Sequence, residues 1–484
     1  MRTLLTFVLA GCAAATAGAT EPAAAVSSLP ADLSASIERV RLPGGEPMGL
    51  VGTSLVFELA PGWWVGPALY GAATGHRGGL FTWGVEGQRR WQLAPRWQLG
   101  AGLYVGGGGG ASAPVGGGLM LRPHADLMFD FGRWSAGVSA AQVRFPSGTI
   151  RSSQLGLQVS VHDAFAFAGP GHDGQSLAFA GAGGLGLQRI SVQLGRYGAS
   201  GSEAGFDTVG VRADRPAGRW LETTLEAAGA AKGGASGYAE FGAGLLALWP
   251  ADARVRVGLH GALGLAGGGG VATGGGTFGK LGAVGRVSLG RDATLELEAG
   301  RVRAFTGDFN ARYVQLALGV ALGASASDTA PGPSFKTVHD TEWALSVEHY
   351  VRAQRKTGGA PSLDAIGLEV RRSIGGGFYA GGRALSAMRG GAGAYSVGLI
   401  GLGAGTRFGA DRAWSAGAEA MVGAAGGGGV DSSGGAIVQP MAWAGHRMGR
   451  FGSLKLALGY VKSLHGGLAT PVVDLAWAVD FGTP

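Results

Sequence analysis

Apolar residues alternate with polar or small residues over most of this chain. Residues 254–266 show the pattern most clearly. One phase of that segment is apolar and consists of Val255, Val257, Leu259, Gly261, Leu263 and Leu265. The other phase is polar or small and consists of Arg254, Arg256, Gly258, His260, Ala262 and Gly264. A period of two indicates a β-strand with one apolar face. Residues 97–105, 313–322 and 414–422 alternate in the same way and predict further strands of this kind.

A run of glycines recurs three times, at Gly106–Gly110, Gly267–Gly270 and Gly426–Gly429. The interval is about 160 residues each time, which is typical of an internal repeat the size of a small domain. The turn-rich segments divide each repeat into about eight strands, or about 24 strands in all. The sequence therefore predicts an all-β chain built from three copies of one eight-stranded unit.

Short and long connections alternate between the predicted strands. In the first repeat, tight turns fall near residues 60–62, 94–96 and 131–133, and longer Gly-rich loops lie between them. Short turns at one end of the strands and longer loops at the other are typical of outer-membrane barrels. We therefore predict a transmembrane, antiparallel, up-and-down β-barrel of the bacterial outer membrane.

Tryptophan positions give separate support for a membrane location. Eight tryptophans lie within a few residues of the tight turns, and therefore at one level of the predicted sheet: Trp63, Trp64, Trp91, Trp97, Trp134, Trp220, Trp249 and Trp414. The indole ring is apolar with one hydrogen-bond donor, and tryptophan is enriched where a membrane meets water. We expect these side chains to form a girdle at the membrane interface. The alternative is that they plug the strand ends of a soluble barrel.

The last predicted strand resembles a known assembly signal. Apolar residues occupy every second position and end in a phenylalanine: Val473, Leu475, Trp477, Val479 and Phe481. This strand resembles the C-terminal signal of the bacterial outer-membrane β-barrel superfamily, which includes porin-like proteins, although Gly482, Thr483 and Pro484 follow the aromatic residue. The resemblance implies a Gram-negative cell envelope, outer-membrane lipids as surroundings and the barrel-insertion machinery as an assembly partner. It implies no substrate.

Three eight-stranded repeats are compatible with two closures. We favour one large barrel over three tandem small barrels, because the inward positions are mainly Gly, Ala and Ser and would fill a narrow lumen poorly. The long junctions between repeats favour three barrels instead. The expected segments are a signal peptide at 1–17 (or 1–11 for a lipoprotein), a tether at 18–30, repeat one at 31–163, a junction at 164–180, repeat two at 181–322, a junction at 323–341 and repeat three at 342–484.

The N-terminus is predicted to be an export signal. Arg2 precedes a short apolar core at residues 4–10. Residues 9–12 resemble the lipobox of bacterial lipoproteins, and that resemblance implies lipidation of Cys12 after cleavage. Ordinary cleavage after Ala17 is the alternative. Cys12 is the only cysteine, so no intramolecular disulfide can form.

Composition and motifs argue against several other classes. A hydrophobic content of 46% is too high for a disordered chain. The net charge of +7 comes from scattered basic residues, so no nucleic-acid partner is expected. Residues 274–280 approach a P-loop, but Leu281 stands where its Ser or Thr should be. We predict no enzyme activity, no cofactor and no metal site, and a lipid-modifying barrel enzyme is the least favoured interpretation.

Five residues are predicted to face the lumen because they occupy the phase opposite the apolar one: Arg254, Arg256, His260, Glu296 and Glu298. They would form either an interior salt-bridge network or a charged lining that selects solutes. We predict a porin-like passive channel with weak selectivity if all strands close together. If each repeat closes alone, ion pairs would seal three narrow lumens. A structural or surface-interaction barrel without conductance is the alternative, and the sequence leaves the oligomeric state open.

Overall fold

The structure is a computed structural model, and it describes residues 26–199, 204–250, 253–290, 292–323, 333–409, 411–449 and 452–484. These residues form 26 β-strands and one short 3₁₀ turn at Pro43–Gly45. The predicted export segment with Cys12 lies outside the described residues.

Three groups of eight strands follow the three repeats. The first group is β1 (Val26–Arg41), β2 (Pro47–Ala60), β3 (Trp63–Thr74), β4 (Phe81–Ala94), β5 (Trp97–Gly109), β6 (Met120–Asp130), β7 (Trp134–Arg144) and β8 (Arg151–Ala168). After a short strand β9 (Ser176–Ala180), the second group is β10 (Arg189–Tyr197), β11 (Phe206–Pro216), β12 (Leu221–Lys232), β13 (Ala239–Trp249), β14 (Val255–Gly267), β15 (Thr277–Ser288), β16 (Ala293–Ala304) and β17 (Asn310–Ala321). After a short strand β18 (Pro333–Thr337), the third group is β19 (His339–Tyr350), β20 (Leu363–Gly375), β21 (Phe378–Arg389), β22 (Ser396–Phe408), β23 (Trp414–Gly426), β24 (Ala436–Arg447), β25 (Ser453–Ser463) and β26 (Ala469–Thr483).

Each group closes on itself. Consecutive strands pair antiparallel, and the first strand of each group also pairs with the last: β1 with β8, β10 with β17, and β19 with β26. The closing ladders are long, running over Val26–Glu38, Arg189–Tyr197 and His339–Tyr350 on the first strand of each pair. The chain therefore forms three eight-stranded up-and-down barrels in tandem, called barrels 1, 2 and 3 below.

The prediction of a single large barrel, which we favoured from the sequence, is wrong. The strand pairing shows the alternative, three tandem barrels. One residue pair alone, Gly482 with Ala168, joins β26 of barrel 3 to β8 of barrel 1. The many small inward residues suggested a wide lumen, and this prediction took no account of the few long inward side chains. In a barrel of eight strands, a few arginine, glutamate and aromatic side chains are enough to fill the interior.

The two junctions pair with each other. β9 and β18 form a two-stranded antiparallel sheet, with Ser176 opposite Thr337. Residues 164–167 belong to the end of β8, and residues 26–30 of the predicted tether belong to β1.

The barrels pack against one another in a cyclic order. The fifth strand of each barrel contacts the third strand of another: β5 contacts β21, β14 contacts β3, and β23 contacts β12. Each contact therefore joins two different surfaces, and the third contact completes a ring. This is the geometry of a closed heterologous assembly with approximate threefold symmetry, here built within one chain.

The recurring glycine runs lie at these three contacts. A Cβ on Gly107 would stand 2.5 Å from the carbonyl oxygen of Ser386 in barrel 3. A Cβ on Gly426 would stand 2.3 Å from the amide nitrogen of Gly237 in barrel 2, and Gly267 meets the backbone of barrel 1 in the same way. Because backbone lies on both sides, only glycine allows this approach. The glycine runs that recur in the sequence therefore lie on the surfaces where the three barrels contact one another.

The outward faces of the barrels are apolar and exposed. Large exposed side chains include Leu155, Leu157, Leu194, Leu259, Leu263, Leu281, Leu316, Leu402, Leu458 and Leu475. Soluble monomers rarely expose apolar surface on this scale. Seven of the eight predicted girdle tryptophans are also exposed, but Trp64 is only 8% exposed and lies inside barrel 1. Trp63 and Trp64 are neighbours on one strand and must point to opposite faces, so only one of them can face outward.

Candidate functional site in the barrel interiors

The structure brings three of the five predicted lumen residues together inside barrel 2. His260 on β14 and the two glutamates Glu296 and Glu298 on β16 are buried. Arg256 on β14 is half-buried. Arg254 is exposed and precedes the strand, so the prediction extended the alternation one residue too far.

An ion-pair layer crosses barrel 2 near its short turns. Arg286 donates to Glu296 (Nε to Oε2, 2.7 Å) and to Glu222 (Nη1 to Oε2, 2.9 Å). Its Nη2 also donates to Asp214 at 3.1 Å. Arg212 completes the layer through Asp214 (Nε to Oδ1, 2.8 Å) and Glu296 (Nη1 to Oε1, 2.7 Å). Removing one member would leave a buried charge without its partner, which is strongly destabilising.

A second polar layer and an aromatic cap lie above the first. His260 Nδ1 is 3.0 Å from Glu298 Oε1, and Lys280 Nζ lies 3.4 Å from the Glu226 carboxylate and 3.1 Å from Gln315 Oε1. Toward the long loops, the interior is filled by aromatic rings: Tyr197, Phe206, Tyr238, Phe278, Phe309 and Tyr313. Side chains therefore occupy the interior of barrel 2 from its charged layer to its aromatic cap.

Barrel 1 has the same plan with different residues. Arg122 Nε donates to Glu38 Oε1 at 3.0 Å. His124 lies between two carboxylates, with Nδ1 2.8 Å from Asp126 Oδ2 and Nε2 3.1 Å from Glu86 Oε1. An apolar cap follows toward the long loops: Leu42, Met48, Leu50, Met120, Phe145 and Ile150. The interior is again a charge layer under an apolar plug.

Barrel 3 repeats the plan a third time. Arg383 pairs with Glu348 (Nη1 to Oε2, 3.1 Å), with Asp474 (Nη2 to Oδ2, 2.9 Å) and with Glu369. Arg371 holds Glu419 through Nε to Oε2 at 2.9 Å. The apolar cap of this barrel includes Tyr350, Leu363, Leu385, Tyr395, Ile437 and Val461.

Sequence reasoning missed the arginines at the centres of these layers. They are Arg122, Arg212, Arg286, Arg371 and Arg383. A signal was present, because Arg212 and Asp214 are two residues apart on β11, and Glu369 and Arg371 are two apart on β20. Residues two apart on a strand share a face, so opposite charges at that spacing predict an interior pair.

The mouth of barrel 3 on the side of the short turns is open. A cavity of about 410 Å³ lies there, walled by the ends of β19 to β26, the turns between them and Asp173 of the first junction. Its floor is a hydrogen-bonded chain in which Trp443 Nε1 donates to the Tyr379 hydroxyl at 2.8 Å, and that hydroxyl donates to Glu419 Oε2 at 2.9 Å. The cavity therefore ends on the charge layer of barrel 3.

Two features are absent from the described residues. None of their helices is long and apolar enough to span a membrane. Nor do they contain a group of three or more His, Cys, Asp or Glu side chains that could hold a metal ion.

Solved structures align with most of the chain at low similarity. OpdK, an outer membrane protein from Pseudomonas aeruginosa, is 9% identical with a TM-score of 0.24, and the alignment covers 94% of this chain and 99% of OpdK. OccK8 (OprE) from Pseudomonas aeruginosa is 9% identical with a TM-score of 0.23, covering 94% and 98%. Acinetobacter baumannii OccAB3 is 7% identical with a TM-score of 0.23, covering 94% and 100%. No family model and no curated protein matches the chain. At these scores the likeness assigns neither a family nor a function.

Proposed function

We propose that the chain is a porin-like β-barrel protein of the bacterial outer membrane whose three lumens are closed. One observation carries the proposal: apolar outer faces surround interiors that hold buried, paired charges. A lipid-facing apolar exterior and a polar interior are typical of transmembrane barrels. The exposed tryptophans near the short turns support a membrane interface at that level.

Cell fractionation tests the location. We expect the protein to stay in the outer-membrane fraction after a carbonate wash and to show heat-modifiable mobility on gels. A fully soluble, monomeric periplasmic protein would contradict the proposal.

Negligible conductance is the second part of the proposal. The weakly selective conduit predicted from the sequence depended on one lumen too wide for its side chains to fill. Closure of each repeat removes that basis, because an interior of eight strands is just wide enough for side chains. The barrels then have a structural or surface-interaction role in the membrane.

Planar-bilayer recording tests the closed state. We expect silent membranes from purified protein, with heat-modifiable mobility of the same preparation showing that it is folded. A known porin recorded under the same conditions is the control. Large single-channel steps from the natural chain would contradict the closed state.

A passive channel is the second candidate function, and the open mouth of barrel 3 favours it. The cavity of about 410 Å³ already occupies the entrance of that barrel. Conduction would require the layer of Arg371, Glu419 and Arg383 to move aside. Steps that appear only at high voltage, and that become frequent when Arg383 is replaced by Ala, would support this candidate.

Lipidation of Cys12 and delivery by the barrel-insertion machinery stay predictions. Mass spectrometry of the mature N-terminus tests the first. Acyl chains on Cys12 would support it, and a free N-terminus at Gly18 would show ordinary cleavage.

A further inference from the structure

Cationic and acidic side chains both line the open mouth of barrel 3. Five cationic side chains line the cavity: Arg371, Arg407, Arg412, Arg447 and Lys455. Four carboxylates line it as well: Asp173, Asp340, Glu342 and Asp480.

The carboxylates already have partners. Glu342 is shared by Arg371, whose Nη1 is 2.7 Å from Oε1, and by Lys455. Asp480 is held by Arg407 (Nη2 to Oδ2, 3.0 Å). Asp173 accepts a hydrogen bond from the Ser373 hydroxyl at 2.7 Å, and its Oδ1 lies 4.0 Å from His339 Nδ1. The backbone amide of Gly171 donates to the Asp340 carboxylate at 3.2 Å, and the Asp340 amide donates to Asp173 at 3.1 Å. Ion pairs therefore neutralise Glu342 and Asp480, whereas neutral hydrogen-bond donors of the chain solvate Asp173 and Asp340.

Two further arginines, Arg412 and Arg447, lie on the rim of the mouth. Within the described part of the chain, neither the Arg412 nor the Arg447 side chain forms an ion pair. They are neighbours, because the Arg447 backbone amide donates to the carbonyl of Ala413 at 2.8 Å. Arg447 is half-buried in the inward phase of β24, and Arg412 is exposed in the turn before β23. Guanidinium groups are well suited to bind carboxylate or phosphate oxygens through paired hydrogen bonds.

Glycines in the wall keep the mouth open. A Cβ on Gly405 would stand 2.8 Å from the Trp443 ring, and one on Gly417 would stand 2.6 Å from the same ring. The indole therefore packs against the backbone of β22 and β23, and its Nε1 reaches the Tyr379 hydroxyl on β21. Tyr379 lies against Gly403 in the same way, at 2.3 Å from a Cβ placed there. These glycines let Trp443 and Tyr379, the two largest side chains of the floor, pack closely against the backbone, and the cavity lies above them.

We propose that this mouth binds a small organic anion from the side of the short turns. Arg412 and Arg447 would hold its carboxylate or phosphate group. The closed layer beneath makes the mouth a binding site and not a passage. Binding here does not depend on whether the barrel conducts, so its failure would leave the closed-barrel proposal intact.

Equilibrium dialysis on the full chain in phosphatidylcholine nanodiscs tests the proposal, with hexanoate, its uncharged analogue hexanamide, and inorganic phosphate as probes. We expect hexanoate to bind and hexanamide to bind at least about tenfold more weakly, since charge-assisted hydrogen bonds are roughly twice as strong as neutral ones. The double variant Arg412→Gln/Arg447→Gln should lose hexanoate, and Arg412→Lys/Arg447→Lys should retain part of the affinity. Arg133→Gln is the matched control, because it removes an exposed arginine from a short turn of barrel 1.

The arms of the experiment distinguish two sources of the anion. If phosphatidylglycerol in the nanodisc displaces hexanoate, a lipid headgroup occupies the site. If it does not, the ligand is a free organic acid or phosphate. Equal binding of hexanoate and hexanamide would overturn the proposal. So would an affinity unchanged by the double Gln variant while heat-modifiable mobility shows that the variant is folded.

Discussion

Replacing Gly107 with Ala tests how the three barrels are held together. Gly107 lies on β5 at the contact between barrels 1 and 3. A Cβ there would stand 2.5 Å from the Ser386 carbonyl oxygen, 2.8 Å from that of Ala387 and 3.0 Å from the Ile366 side chain. Both oxygens belong to backbone that is fixed by strand pairing, so neither can rotate away.

The size of the effect follows from this geometry. Carbon atoms prefer separations of about 3.5–4.0 Å, so barrels 1 and 3 would have to separate locally by about 1 Å. Overpacking of this kind typically costs about 1–3 kcal/mol. Gly107 has no left-handed φ, and an alanine in a strand interior gains roughly 0.5–1 kcal/mol over glycine, which acts in the opposite direction. We expect a net loss of about 1–2 kcal/mol in the free energy of unfolding.

Thermal unfolding in detergent, followed by the loss of heat-modifiable mobility, measures this loss. Gly426→Ala, where the Cβ would stand 2.3 Å from the Gly237 amide nitrogen, should be destabilised similarly at the contact between barrels 2 and 3. Gly87→Ala on β4 and Gly398→Ala on β22 are matched controls, because no atom lies within 4 Å of the added Cβ.

One result would refute the reasoning. If Gly107→Ala and Gly426→Ala melted at or above the temperature of the natural chain, as the two controls should, the glycine runs would have no part in packing the barrels. The repeats would then be independent domains that happen to lie close together.

Three further predictions concern the interior, the interface and the loops. Arg383→Met should cost about 3–5 kcal/mol of unfolding free energy, since the buried carboxylates of Glu348 and Asp474 lose their cation and Glu369 keeps only Arg371; thermal unfolding checks it, and Arg389→Gln, at an exposed arginine, should cost far less. Brominated lipids should quench the fluorescence of a chain that retains only Trp249 and spare one that retains only Trp64, and equal quenching would argue against the assigned faces. The backbone amide of Gly467 and the Ser433 hydroxyl hold the pKa of Asp431 below its usual value. Its depressed folded pKa stabilises the loop above the unfolded pKa. The protection factor of the loop containing Asp431, which is its hydrogen exchange corrected for the intrinsic rate at each pH, should therefore fall as pH falls through the folded pKa, and Asp431→Asn should abolish that change.

The alternation in the sequence predicts the strands well and the closure poorly. The inward and outward positions predicted for residues 255–265 agree with the burial pattern of β14. A shift by one residue would turn every apolar side chain of the strand toward the lumen, so the alternation leaves only one orientation. Closure depends on which distant strand pairs with the first, and no local pattern reports that. The small inward residues suggested a wide lumen, whereas Arg286 and its partners fill a narrow one.

The glycine runs show a different limit. Their spacing matches that of the three eight-stranded groups, but a Gly-rich stretch is equally compatible with a flexible loop. Their position at the contacts between barrels could be found only once β5, β14 and β23 were placed against their neighbours. Trp64 was assigned to the girdle because it is near a turn. Whether its ring faces the membrane or the lumen depends instead on the alternation along the strand, and Trp64 occupies an inward position.

Disulfide cross-linking across the closing seams tests the three-barrel claim most directly. With Cys12 replaced by Ser, cysteine pairs would be introduced at three positions where first and last strands are opposed: Ser34 with Ser160, Ser191 with Gly319, and Ser346 with Ala476. The account predicts that all three pairs form disulfides in the folded, membrane-inserted protein. If these pairs stayed reduced while a cysteine at 160 on β8 cross-linked to one at 191 on β10, the strands would close into one large barrel and the account would be wrong.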